Sequence, residues 1–91
     1  MAATNYEIIH FSGRVQGVGF RYNVFQVSQE YDVTGFVRNL TDGRVRIEVE
    51  GGDQDIEDFV EAIHERMHGY VRQIERDRSR RESTFVGFGI R

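Results

Sequence analysis

The sequence predicts an α+β fold in which a mostly antiparallel sheet carries two helices on one face. Two observations predict it. Five segments have the alternating polarity or the β-branched and aromatic content of strands. Two other segments repeat apolar residues every three to four positions, as one face of a helix does. Turns rich in glycine separate several of these segments, so the order of elements can be read along the chain.

The first half of the chain predicts a strand, a helix and a hairpin. Residues 6–12 alternate, which places Glu7, Ile9 and Phe11 on one face of a strand. After a glycine-rich loop, a helical apolar stripe comprises Phe20, Val24, Val27 and Tyr31. Residues 33–40 and 44–50 then read as two strands joined by the turn at residues 41–43.

The second half adds a helix and two strands. The second helical stripe consists of Ile56, Phe59, Val60, Ile63 and Met67, and Gly69 is expected to end this helix in a left-handed conformation. Residues 70–78 form a weak strand, and the charged run 75–82 suits an edge strand followed by a loop. Residues 85–90 make a short final strand. This βαββαβ order is the ferredoxin-like pattern, and residues 1–91 form a single domain.

The composition excludes several classes of protein. A net charge of −3 argues against general nucleic-acid binding. The chain has no apolar run near the roughly 20 residues of a membrane span and no signal-peptide pattern. Zero cysteines leave no disulfide framework and no thiolate nucleophile. The expected protein is therefore a cytoplasmic one that does not bind a membrane, and we expect it to be a monomer.

A glycine-rich loop between the first strand and the first helix is the strongest functional signal. Residues 13–21 read Gly-Arg-Val-Gln-Gly-Val-Gly-Phe-Arg, with no proline to remove a backbone N–H. Such a loop can turn its amides around an anion at a helix N-terminus, where Arg21 could add a bidentate contact to phosphate. Ordinary turn chemistry is the competing interpretation. The chain has no lysine for a Walker loop, and it is too short for a dinucleotide-binding sheet.

A second motif follows at residues 35–51. It reads Gly35-Phe36-Val37-Arg38-Asn39 and continues with Gly43, Val45 and Gly51. Taken alone, Asn39 needs no function, because asparagine tolerates turn conformations at strand ends. Together the two motifs, in this order, closely resemble those of the acylphosphatase family, and residues 85–91 resemble that family's last strand. The resemblance spans residues 6–91.

The resemblance implies an enzyme that hydrolyses the carboxyl–phosphate bond of small acyl phosphates, releasing orthophosphate, without metal or other cofactor. It implies that the phosphoryl oxygens bind to backbone amides of a loop made of Gly13, Arg14, Val15, Gln16, Gly17, Val18 and Gly19. Arg21 would neutralise the phosphate, and Asn39 would position the attacking water. The chemistry agrees, because a carboxylate leaves without a general acid and phosphoryl transfer depends mainly on positioning and electrostatics.

Other functions remain as alternatives. The same cradle could serve a non-catalytic module that senses an anion or metabolite. Residues 85–88 faintly resemble an aromatic RNA-binding strand, which the negative charge disfavours. The chain could be part of a larger carbamoyl-phosphate-processing protein, although its length argues against this. His64 and His68 have the spacing of metal ligands, but the dipole at the end of the second helix explains them better.

Overall fold

Five strands form one sheet, and two helices pack against one of its faces. The computed structural model describes residues 3–91. The elements are β1 (Ala3–Gly13), α1 (Phe20–Ser28), β2 (Val33–Asn39), β3 (Val45–Gly51), α2 (Asp53–Met67), β4 (Val71–Glu82) and β5 (Phe88–Ile90). The strands lie in the order β4-β1-β3-β2-β5, and only the β2–β5 pair is parallel. The predicted architecture is confirmed. Within the described residues, neither helix is long and apolar enough to cross a membrane.

The hydrophobic core lies between the helices and the sheet. The predicted inward residues Ile9 and Phe11 are fully buried, and the Phe11 ring centroid lies 5.3 Å from that of Phe20. Both helices contribute the predicted stripes, except that α1 ends at Ser28, so Tyr31 lies beyond the helix and is only partly buried against the core. The other buried apolar residues of this cluster are Val15, Val24, Val27, Val33, Val37, Val45, Ile47, Val49, Ile56, Phe59, Val60, Ile63 and Met67.

The charged run at residues 75–82 is strand throughout, which corrects the prediction that it ends in a loop. β4 pairs with β1 from Gly13↔Val71 to Ala3↔Glu82 and forms one edge of the sheet. The strand is longer than predicted because its backbone forms hydrogen bonds along the whole of β1. This pairing does not depend on the side-chain composition of β4. β5 is shorter than predicted, and Gly69 does not take the left-handed conformation expected of it.

Ion pairs explain how an arginine-rich strand packs against a helix. Arg76 lies between the buried Glu7, at 2.8 Å, and Glu57 of α2, at 2.7 Å. Arg78 pairs with the same two carboxylates. The hydrogen bond to Glu7 raises the pKa of Arg76, and the hydrogen bond from Arg76 lowers the pKa of Glu57. The two arginines thus balance the charge of the buried Glu7 carboxylate, which lies on the face of the sheet that carries the helices.

The segment between β4 and β5 crosses the face of the sheet that the helices leave open. These strands form opposite edges, so residues 83–87 must span the strands between them. Phe85 packs on this face, with ring centroids 6.4 Å from Tyr6 and 5.7 Å from Phe36. The crossing segment delivers β5 to the edge beside β2, with which it pairs in parallel.

A buried carboxylate of β3 holds this crossing segment. The Glu50 side chain is 1% exposed and accepts hydrogen bonds from the backbone N–H groups of Thr84 and Phe85, both at 3.0 Å. The Ser83 hydroxyl and the Arg81 guanidinium also donate to it, each at 3.1 Å. Burial by itself would raise the pKa of Glu50, but these hydrogen bonds outweigh burial and lower the pKa.

Replacing Glu50 by glutamine should therefore destabilise the fold in a pH-dependent way. At pH 7 we expect Glu50→Gln to lower the free energy of unfolding by about 2–4 kcal/mol, because charge-assisted bonds to a buried carboxylate are lost. The folded-state pKa lies below the unfolded-state value, so the contribution of Glu50 is full above the unfolded-state pKa and disappears as the pH falls through the folded-state value. Urea unfolding at several pH values measures this. The matched control is Glu61→Gln, on the exposed face of α2, and an equal loss in both variants would contradict the assignment.

Candidate active site

The two motifs meet at one end of the sheet because of strand direction. β1 and β2 both pair antiparallel with β3, which lies between them. Their C-terminal ends therefore point the same way, about 10 Å apart at two strand spacings. The glycine-rich loop leaves the end of β1, and Asn39 is the last residue of β2. Motifs that are far apart in sequence thus become neighbours.

The first residues of the loop fasten it to β4. A Cβ atom on Gly13 would lie 2.4 Å from the backbone oxygen of Tyr70, so only glycine fits this approach. The N–H of Arg14 donates to that same oxygen at 2.9 Å, and Val15 is fully buried in the core. The start of the loop is therefore held at two places, the backbone of Tyr70 and the core, and the Arg14 amide is already used.

The remaining amides of the loop are free to bind an anion. Within residues 3–91, the backbone N–H groups of residues 15–19 donate to no protein acceptor. Gly17 and Gly19 have φ angles of 77° and 75°, in the left-handed region that favours glycine. This chain path leads directly into α1, and an anion there would also meet the positive end of the helix dipole.

The N-terminus of α1 lacks the groups that usually compensate it. Gly19 is the N-cap residue and offers no side-chain cap, and the first turn contains no acidic residue. The Gly19 carbonyl is held from within the helix, because it accepts hydrogen bonds from the backbone N–H of Asn23, at 3.0 Å, and from Asn23 Nδ2, at 2.8 Å. The cap is rigid while its amides stay unsatisfied, which favours a bound anion.

Gln16 ties the loop to the β2–β3 hairpin. Its Nε2 donates to the carbonyl oxygens of Leu40, at 2.8 Å, and Arg44, at 3.0 Å. These residues also pair with each other, because the N–H of Leu40 donates to Arg44 at 2.8 Å. One side chain therefore fixes the distance between the glycine loop and the end of β2.

A cavity of about 220 Å³ lies where these elements meet. Four predicted site residues line it: Gly17, Gly19, Arg21 and Asn39. The other predicted loop residues, Gly13, Arg14, Val15, Gln16 and Val18, are not in the lining; Val15 and Val18 pack against the core instead. Phe20, Tyr22 and Ile90 complete the lining, and sequence reasoning did not assign them to the site. The sequence did contain one indication for Tyr22: it follows Arg21 directly and does not belong to the apolar stripe of α1, so it was not needed in the core.

Arg21 stands in the first turn of α1 and is half-buried. Its Nη1 lies 3.5 Å from the backbone oxygen of Arg91, after the end of β5. Arg91 is itself placed by its N–H, which donates to Val37 of β2 at 2.8 Å. A single long contact to a carbonyl leaves most of the five guanidinium donors available for another acceptor in the cavity.

Asn39 lines the cavity and has one buried atom without a hydrogen-bond partner in the described chain. Its Oδ1 is buried and has no hydrogen-bond partner within residues 3–91. Successive side chains of a strand alternate between faces, so Asn39 shares the helix side of the sheet with the buried Val37. Arg38 falls on the opposite face, across from Arg46 of β3. Arg38 is therefore not part of the cavity, although it is adjacent to Asn39 in sequence.

Comparison with known proteins decides the family. The family model described as Acylphosphatase matches residues 7–90. An acylphosphatase of Salinibacter ruber is 43% identical over 81 residues, which make up 88% of this chain and 85% of that protein. The chain belongs to the acylphosphatase family. Its activity is the hydrolysis of acyl phosphates to a carboxylate and orthophosphate, as the two motifs implied.

Solved structures of acylphosphatases share the fold. The acylphosphatase from Bacillus subtilis superposes with a TM-score of 0.83 at 37% identity, covering 96% of this chain and 97% of that one. The T.kodakarensis HypF structure matches with a TM-score of 0.82 at 31% identity, over 96% of this chain but only 12% of that one. The ferredoxin-like prediction is thereby confirmed.

Proposed function

We propose that the loop amides, Arg21 and Asn39 form the active site for acyl phosphate hydrolysis, with water attacking phosphorus directly. The observation that carries this proposal is that Asn39, whose buried Oδ1 has no hydrogen-bond partner in the described chain, lines the same cavity as Arg21 and the glycine loop. Leaving a buried polar atom without a hydrogen bond costs about 1–3 kcal/mol. A fold that keeps such a side chain at a cavity is suited to a bound water or ligand there.

The phosphoryl group would bind in the loop. Five backbone N–H groups, at residues 15–19, have no protein acceptor in the described chain, and the N-terminus of α1 adds its dipole. Arg21 supplies the full positive charge and can hold two oxygens at once. Both contributions act on charge that spreads over the equatorial oxygens in the transition state.

Asn39 would orient the nucleophile. Its Oδ1 accepts a hydrogen bond from the attacking water and aims a lone pair of the water oxygen at phosphorus. The new P–O bond forms as the bond to the acyl oxygen breaks, and the electron pair leaves with the carboxylate. The protons of the water end on the phosphate product, so a dianionic acyl phosphate gives one carboxylate and one H₂PO₄⁻. The carboxylate, with a conjugate-acid pKa near 4 to 5, needs no protonation to leave.

The donor set of the cavity fits a reaction without metal. No aspartate, glutamate, histidine or cysteine appears among the seven lining residues. Within residues 3–91, no group of three or more such side chains is placed to hold a metal ion, and His68 Nδ1 lies 3.0 Å from the Glu65 carbonyl. Amides and one guanidinium bind phosphate oxygens directly, which is the task that a metal ion performs in other phosphoryl-transfer sites.

The remaining expectations also belong to this proposal. We propose one domain over residues 1–91, supported by the single core cluster within the described part of the chain. We propose a monomer in the cytoplasm. We also propose that it binds no nucleic acid, which the net charge of −3 supports. The alternative of a non-catalytic anion-binding module is not favoured by relatives named as acylphosphatases.

Arg21→Lys should nearly abolish hydrolysis while the fold stays intact. Lysine keeps the charge but cannot form the bidentate contact, so we expect kcat/KM for benzoyl phosphate to fall at least about 100-fold, with a parallel weakening of inhibition by inorganic phosphate. Steady-state kinetics and phosphate inhibition constants measure both effects. The matched control is Arg66→Lys in the last turn of α2, which should be neutral. Activity within a few-fold of wild type in Arg21→Lys would contradict the phosphate contact.

Asn39→Ala should separate chemistry from binding. If Asn39 orients water, kcat should fall by about 100-fold or more, while the inhibition constant of inorganic phosphate changes less than about threefold. The control is Arg38→Ala, which removes the neighbouring side chain from the opposite face of the sheet and should leave kcat near wild type. A loss of phosphate affinity as large as the loss of kcat would place Asn39 in the phosphate cradle instead.

Activity should survive removal of divalent ions and should show no histidine-dependent limb in kcat. Prior dialysis against EDTA should leave kcat unchanged, and kcat should stay level from mildly acidic to neutral pH. Burial, followed by repulsion from Arg44 and Arg46, lowers the pKa of His10, but His10 lies on the open face of the sheet. His10→Ala should therefore leave the pH profile unaltered. Loss of activity in EDTA that a divalent ion restores would reject the proposed mechanism.

A further inference from the structure

We propose that Tyr22 and Ile90 form an apolar subsite that selects acyl phosphates with aromatic or branched aliphatic acyl groups over those with small ones. This rests on the proposed function, because it assigns the part of the same cavity that the phosphate contacts leave unused. The relevant observation is that two of the large exposed hydrophobic side chains of the protein lie together at this one site.

Large exposed hydrophobic residues are few in the described chain, and two of the four line the cavity. Within residues 3–91, the large hydrophobic side chains exposed to solvent are Tyr70, Val86, Tyr22 and Ile90. Tyr22, 59% exposed, and Ile90, 44% exposed, both line the cavity, whereas Tyr70 and Val86 do not. Small-molecule sites commonly combine a few polar groups with an apolar surface, and the apolar surface binds the non-reacting part of the ligand.

The fold holds these two side chains beside the phosphate-binding groups. Tyr22 follows Arg21 directly in the first turn of α1. Ile90 pairs with Val37, two residues before Asn39 on the neighbouring strand. Phe20 adds a further apolar side chain to the lining; it is 2% exposed and packs against Phe11. The positions of both subsite residues are therefore set by the same elements that place Arg21 and Asn39.

The lining divides into a polar part and an apolar part. Gly17, Gly19, Arg21 and Asn39 supply amides, a cation and an amide side chain, and the other lining residues are Phe20, Tyr22 and Ile90. The cavity of about 220 Å³ corresponds to roughly seven water volumes. A phosphoryl group in the polar part leaves space for an acyl group, which can be accommodated only along the apolar part.

The charge pattern of the lining defines the class of acyl group. Among the described residues that line the cavity, Arg21 alone is charged, and the phosphate would contact it. An acyl group that carries a second carboxylate would find no further cation in the lining, and an acetyl group would reach little apolar surface. An aromatic ring or a branched chain covers Tyr22 and Ile90 and removes their exposed area from water.

The test compares benzoyl phosphate with acetyl phosphate. The measured quantity is the ratio of their kcat/KM values, and comparing this ratio between variants cancels the different intrinsic reactivities of the two compounds. Tyr22→Ser should lower the benzoyl-to-acetyl ratio by about fivefold to tenfold, mainly through a higher KM for benzoyl phosphate. Ile90→Ser is a second, independent variant with the same expected direction. Tyr22→Phe keeps the ring and should preserve the ratio.

Two controls distinguish a subsite from a structural effect. Val86→Ser removes a fully exposed hydrophobic side chain outside the cavity and should leave the ratio unchanged. The inhibition constant of inorganic phosphate should change less than about twofold in Tyr22→Ser, because phosphate has no acyl group. A benzoyl-to-acetyl ratio within twofold of wild type in both serine variants would overturn the subsite. A fall in the ratio accompanied by an equal loss of phosphate affinity would overturn it as well.

These results are separable from the proposed function itself. If Arg21→Lys and Asn39→Ala hydrolyse both substrates like wild type, the proposed active site fails, whatever the ratio shows. If those variants are impaired and the serine variants keep the wild-type ratio, the active site stands and only the subsite is rejected.

Discussion

The direction of two strands on either side of β3 is the constraint on which the site depends. β1 and β2 both run antiparallel to β3, so their C-terminal ends lie at the same end of the sheet. The glycine loop and Asn39 are thereby placed about two strand spacings apart, close enough to act on one phosphoryl group. α1 begins directly after the loop and packs over the sheet, which brings Arg21 to the same cavity. Neither motif forms the site alone, because the first supplies the glycine loop and Arg21 and the second supplies Asn39.

Contacts of residues 13–16 hold the loop in place, while the backbone N–H groups of residues 15–19 have no acceptor in the described chain. Gly13 and Arg14 fix the beginning of the loop to Tyr70, and Val15 anchors it in the core. Gln16 fixes it to the hairpin through two carbonyl groups. The unsatisfied amides therefore belong to a backbone that is held by contacts on both sides of the cavity. Preorganised donors of this kind stabilise transition-state charge without the reorganisation that water would require.

Two buried carboxylates outside the cavity, one on each face of the sheet, help to hold the elements that form the site. On the helix face, Glu7 is neutralised by Arg76, which also contacts α2. On the open face, Glu50 holds the segment that carries the chain from β4 to β5. The second contact matters for the site, since β5 contributes Ile90 and positions the backbone oxygen of Arg91 near Arg21. An arginine-rich edge strand is thus compatible with a regular core, because its charges have specific partners.

The sequence by itself determined the order of elements, the helical stripes and the two motifs that identify the family. Hydrophobic periodicity specified the buried faces, with Ile9 and Phe11 in the core as predicted, because side-chain alternation is a local property of a strand. Tertiary structure alone decided the extent of β4, the bond from Gln16 to the hairpin, and the presence of Tyr22 and Ile90 in the cavity. It also decided that the end of β2, with Asn39, lies at the same cavity as the glycine loop. These features depend on pairing between segments far apart in the chain, and local periodicity carries no information about which strands become neighbours.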